Sequence, residues 1–145
     1  HHGNGTQDIF YDDPSVLYAS THQMPLFPGS GGKNETGVGN IHNAPLSPGM
    51  GSSDFKAAFR ERILPALDNF NPDLIIVSAG FDAHHRDPLA NINLEEDDFD
   101  WATGKLLETA ARSSNNRLVS LLEGGYDLKG LADSCAMHVA RLMNG

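Results

Sequence analysis

Apolar residues along this chain alternate between two repeats, one suited to helices and one to strands. Phe55, Phe59, Ile63 and Leu67 recur every fourth position and predict an amphipathic helix. Ser52-Ser53-Asp54 can cap its start, Pro65 should kink it or open a new first turn, and Asn71-Pro72 should end it. The run Asp73 to Ala79 is almost continuously apolar and predicts a buried parallel strand. Phe99, Ala102, Leu106 and Ala110 predict a second long helix, with Asn93 and Glu96 spaced as a capping box. Arg117 to Leu122 predicts another buried strand. Leu131, Cys135, Val139 and Leu142 then mark a last helix. Earlier, Asn4 to Phe10 reads as a turn into a short helix, while Val16 to Ser20 and Asn40 to Leu46 read as short strands. Pro25 to Gly39 is rich in Gly, Pro, Ser and Asn, a long loop of the kind that is usually functional or mobile. Strands alternating with helices predict one α/β domain over residues 1–145, with a mainly parallel sheet flanked by helices.

Composition narrows the function. The 145 residues suffice for one core, and 39% hydrophobic with 20% charged is an ordinary globular balance. The net charge of -9 and the lack of a Lys/Arg cluster argue against direct nucleic-acid binding. No stretch is long and apolar enough to predict a membrane span, and no signal peptide is evident. The single Cys135 excludes an intrachain disulfide and a Cys-rich zinc site. It reads as a small buried hydrophobe in a reduced, cytoplasmic-type compartment. Any metal must use His and Asp or Glu.

Three strand ends carry chemistry. Asp82 follows the apolar run Leu74 to Val77, at the edge where α/β sheets gather ligands and metals. His1-His2-Gly3-Asn4-Gly5-Thr6 opens the chain and reads as one motif rather than the tail of a purification tag. Leu118 to Leu122 runs into Glu123-Gly124-Gly125-Tyr126. A histidine, a carboxylate and a tyrosine there are ingredients of a metal-assisted hydrolase. A lone Asp at a strand end is more often a cap, and Tyr126 reads equally well as a packed tyrosine before a helix capped by Asp127. His84 and His85 belong to the outgoing loop and are weaker ligand candidates. Asp87-Pro88 is turn chemistry. Gly29-Ser30-Gly31-Gly32-Lys33 fails as a phosphate loop, because Phe27 and Asn34 stand where glycine and Ser/Thr are required.

Taken in order, His1 to Gln7, Asp13 to Tyr18, Phe27-Pro28-Gly29, Val77 to Asp82, Asp87-Pro88-Leu89 and Leu122 to Tyr126 resemble the histone deacetylase superfamily, closest to its class II and bacterial-like branch. The resemblance spans essentially the whole chain. It implies the three-layer arginase/deacetylase fold and zinc-dependent hydrolysis of acetyl-lysine-type amides. His1 and Asp82 would bind zinc, and Tyr126 would hydrogen-bond the scissile carbonyl. Phe27, Leu89 and Gly124 would line the substrate channel. It also implies structural potassium, with His1, Ser20 and Thr21 at one site and Phe10, Asp13, Val16 and Asn40 at another. The substrate would be an acetylated lysine peptide or a small acetylated amine, and the apolar Leu89 favours a neutral stem. In the family a further zinc carboxylate stands two residues before the position of His1, and a water-activating histidine pair lies further upstream. The chain is therefore expected to be the C-terminal portion of such a domain, prone to self-association or dependent on an N-terminal partner segment. Two alternatives stand beside this: a non-catalytic remnant acting as an interaction module, and a binuclear hydrolase of arginase type. Whether zinc or iron is used, and which acyl group is removed, stay open.

Overall fold

The computed structural model describes residues 1–145, in the order α1 (Asn4–Ile9), β1 (Tyr18–Gln23), β2 (Ile41–Leu46), α2 (Ser52–Ala58), α3 (Leu64–Phe70), β3 (Ile75–Ala79), α4 (Glu96–Ser113), β4 (Leu118–Leu122) and α5 (Leu128–Asn144). All the strands pair in parallel, as an α/β reading expects, but as two separate pairs. Tyr18 to Gln23 align with Ile41 to Leu46, and Ile75 to Ala79 align with Leu118 to Leu122. The first strand starts two residues later and runs three further than its apolar residues suggest, ending in buried His22 and Gln23.

Helices α2 and α3 are joined by a π-helical turn, Phe59–Ile63, and Pro65 sits in the first turn of α3. Proline has no N–H to give, so a widened turn just upstream accommodates it. Asn71 ends α3 in the left-handed conformation, φ 53°. The expected stripe is the core: Phe55, Phe59, Ile63 and Leu67 pack with Ala44, Leu46, Ile92 and Leu94. Trp101 of α4 closes it, its ring 5.6 Å from Phe59 and covered on the other side by the Arg60 guanidinium at 5.0 Å.

Five expectations need correction. The cap of α4 is not Asn93 with Glu96. The helix starts at Glu96, and Asp98 Oδ2 accepts the Glu95 N–H at 3.0 Å. Asn93 is already committed to a bridge with Gly51 and donates its amide to Gly49 O at 3.1 Å. At α2, likewise, Gly51 rather than a serine is the cap, and its N–H meets Asp54 Oδ2 at 3.1 Å. The last helix buries Gly130, Ser134 and His138, one position off the predicted stripe. His138 explains the rotation: its Nδ1 lies 2.6 Å from Thr103 Oγ1 and its Nε2 2.8 Å from Ser120 Oγ. Cys135 is only half-buried. Finally, β3 and β4 bury one face alone. Ile75 and Ala79 are inside, while Ile76 is 62% exposed and Leu121 53%. The apolar run is real, but no layer of this chain covers its second face.

Candidate functional site

The C-terminal ends of β3 and β4 meet around Asp82. Leaving β3, the chain turns sharply: the Phe81 N–H donates to Gly124 O at 2.8 Å, His84 N–H to Phe81 O at 3.1 Å and Asp87 N–H to His84 O at 2.9 Å. The turn presents Asp82 inward, 6% exposed. His1, 81 residues away in sequence, sets its Nδ1 2.5 Å from Asp82 Oδ2. The expected pair of metal donors therefore meets.

No ion is needed to see that the pocket is shaped around the Asp82 carboxyl. A Cβ on Gly124 would stand 2.9 Å from Asp82 Cγ, and one on Gly80 would stand 3.0 Å from Asp82 Oδ1. Only glycine backbone leaves room for the carboxyl between the ends of β3 and β4. An imidazole nitrogen and a carboxylate oxygen are a donor pair of the kind that suits zinc, and a catalytic zinc site would need a third protein ligand beside them. Gly124 thus borders the Asp82 carboxyl.

Tyr126 lies just past this cradle, 54% exposed, with its backbone N–H donating to Asp87 Oδ2 at 2.7 Å. Phe27 and Leu89 are exposed too, at 78% and 51%, as rim residues would be. His84 and His85 turn away from His1 toward the start of α4. Their ring nitrogens and a Glu95 oxygen gather within 4.8 Å of one another. His84 Nδ1 accepts the Arg86 N–H at 3.2 Å, its Nε2 lies 3.3 Å from Glu96 Oε1, and His85 Nδ1 lies 3.2 Å from Glu95 Oε1.

The residues matched to potassium divide. The carbonyls of Phe10, Asp13 and Val16 converge on one atom, Asn40 Nδ2, at 2.7, 3.0 and 3.0 Å. In this arrangement the amide N–H groups satisfy the carbonyls. Ser20 and Thr21 lie on β1, where Ser20 Oγ is 2.9 Å from His22 Nδ1, and no hydrogen bond ties either to His1.

A polar network that the pattern of the sequence does not announce holds the long loop. Glu35 accepts the N–H of Gly31 at 3.0 Å, the N–H of Gly32 at 2.9 Å and the Gln7 amide at 2.6 Å. Burial works toward raising the Glu35 pKa, but these donors hold it below the usual carboxylate range. Gln7 Oε1 in turn lies 3.0 Å from His2 Nε2 and accepts the Asn43 amide at 2.7 Å. Gly31 is required here, with φ 98° and a Cβ that would fall 2.3 Å from His22 Nε2. The one available signal was an acidic residue three positions after a Gly-Gly pair.

The chain is thus a parallel α/β protein in which a histidine and a carboxylate meet just past the end of β3, with an exposed tyrosine four residues past the end of β4. The family model described as "Histone deacetylase domain" matches residues 1–142, and the chain belongs to that family. It is 44% identical over 140 residues to histone deacetylase 10, chloroplastic, of Oryza sativa subsp. japonica, covering 94% of this chain and 32% of that protein. It is 42% identical over 156 residues to human histone deacetylase 7, covering 99% of this chain and 16% of that one. Among solved structures, the HDA15 HD domain superposes with a TM-score of 0.92 at 36% identity, over 99% of this chain and 42% of that chain. The histone deacetylase Clr3 also gives 0.92 at 36% identity, over 99% and 25%. The chain thus spans less than half the length of these relatives.

Proposed function

We propose that the protein containing these residues is a zinc-dependent deacetylase acting on acetyl-lysine peptides or small acetylated amines. The contact between His1 and Asp82 in a glycine cradle, with Tyr126 beside it, carries this reading. Membership of the histone deacetylase family supports it. When bound, zinc would polarise the acyl carbonyl and acidify a water molecule. His1 and Asp82 hold their donor atoms together for it. Tyr126 directs its phenol O–H at the oxyanion that develops on the carbonyl oxygen. Phe27 and Leu89 flank the entering acyl-lysine stem. No residue of this chain is assigned as the base that takes the proton of the water.

Structural potassium belongs to the same proposal at the ring of Phe10, Asp13 and Val16 carbonyls. Asn40 joins that ring by turning its oxygen inward, giving up the bond its Oδ1 accepts from the Val38 N–H at 3.2 Å. For His1, Ser20 and Thr21 the support is the resemblance alone. The open face of Ile76, Val119 and Leu121 is proposed to be covered by further chain of the same domain, or by a second copy when that is missing. The compartment we assign is cytoplasmic, on the free Cys135. No helix is long and apolar enough to cross a membrane. The rice relative is named chloroplastic, so fractionation of source cells tests that address.

The experiment is metal content and turnover of the full-length protein, offered an acetyl-lysine peptide and an acetylated diamine. About one zinc per chain with peptide turnover supports the reading. Metal-free protein without turnover would leave the fold serving as an interaction module.

A further inference from the structure

We infer that Asp87 is the positioning residue of the site: one buried carboxylate that fixes both Tyr126 and the rim residue Leu89. The inference rests on the deacetylase reading for its catalytic consequence, though not for its geometry. Asp87 is 7% exposed. Its Oδ1 accepts the Leu89 N–H at 2.9 Å, a local turn contact. Its Oδ2 reaches across 39 residues to the Tyr126 N–H at 2.7 Å and to the Asp127 N–H at 3.3 Å. The backbone of Asp87 is itself fixed to the turn that carries Asp82, through its N–H to His84 O at 2.9 Å.

Upstream, the loop around Tyr126 is held through Gly124 O, which accepts the Phe81 N–H at 2.8 Å, and through Glu123 N–H to Ala79 O at 3.0 Å. Two glycines precede the tyrosine, Gly125 with φ 144°, and neither has a side chain to pack. The Tyr126 side chain is more than half exposed and makes no hydrogen bond. Its backbone N–H is its one polar anchor. After it, Asp127 accepts the Gly130 N–H at 2.7 Å at the start of α5 and lies 3.4 Å from Arg86 Nε. At Tyr126 itself the link to the Asp82 turn is Asp87. Asp87 likewise holds the Leu89 backbone.

Both carboxylate oxygens are occupied by N–H donors, which makes asparagine an informative change. Its amide is almost the same shape but offers one acceptor oxygen, so it can serve Leu89 or Tyr126 and Asp127, not both. The test uses the full-length enzyme with Asp87→Asn, Tyr126→Phe and the double variant. Zinc content should not change, and KM for an acetyl-lysine peptide should rise only modestly, as the setting of Leu89 loosens. The kcat of Asp87→Asn should fall about 10- to 100-fold, the scale of a misplaced catalytic group. The double variant should be no slower than Tyr126→Phe, because Asp87 acts through Tyr126. Multiplicative losses in the double variant, or unchanged kcat in Asp87→Asn, would overturn the inference. A measurement without variants guards against misfolding. Hydrogen exchange of the unaltered protein should show the Tyr126 amide protected although its loop is exposed, and free exchange there would also overturn it. If the unaltered enzyme deacetylates nothing, the functional reading fails, and the exchange result still decides the geometry.

Discussion

Gly124 and Asp82 are in contact that admits no further atom: a Cβ on Gly124 would lie 2.9 Å from Asp82 Cγ and 2.9 Å from Oδ1. The end of β4 thereby dictates where the carboxylate at the end of β3 can stand.

Gly124→Ala should therefore displace Asp82 without touching any donor atom. We expect zinc affinity to drop about 10- to 100-fold, the range for changes that disturb the support of a metal ligand. Asp82→Ala should abolish binding. Competition with a chelating dye on the full-length protein measures both, and equal affinity in Gly124→Ala and the unaltered protein would contradict the cradle.

Tyr126→Phe removes one hydroxyl from an exposed ring. Turnover should fall about 100- to 1,000-fold, as when an oxyanion donor is lost. Zinc content and thermal midpoint should hold. Parallel losses of stability and turnover would mark the tyrosine as structural.

His22 should make the fold acid-sensitive. Burial, and then the nearby His2 ring, push its imidazole from the ordinary 6.5 down to about 4, opposed by the hydrogen bond to Gly31 O and less by the Glu35 carboxylate. The unfolded chain then binds a proton that the native one excludes between pH 6.5 and about 4. Stability is full above pH 6.5, declines as pH falls through that window, and levels off below it, a loss of at most about 3 kcal/mol from this group. His2, His42 and His138 are lowered by burial as well and act in the same sense. Urea midpoints at pH 7 and pH 4.5 measure the slope, which His22→Gln should flatten. Identical midpoints in the unaltered protein would refute it.

The bare face of β3 and β4 should make residues 1–145 self-associate when expressed alone. Leu121→Lys with Ile76→Lys should lower that tendency without unfolding the chain, since both side chains are already more than half exposed. Sedimentation velocity decides it, and a clean monomer before substitution counts against an apolar docking face.

What the sequence determined alone was local. Every fourth-residue recurrence from Phe55 to Leu67 gave a helix, and the apolar runs before Asp82 and Glu123 gave strands, because backbone periodicity follows from neighbouring residues. The motifs around His1, Asp82 and Tyr126 were legible for the same reason: each lies within a few consecutive positions. The tertiary structure decided what depends on distant partners. It turned α5 by one residue so that His138 could reach Thr103 and Ser120. It left one face of β3 and β4 open, which no apolar run can foretell. It joined His1 to Asp82 across 81 residues and Asp87 to Tyr126 across 39. Those pairings set the candidate site, and they exist only because packing brings the strand ends together.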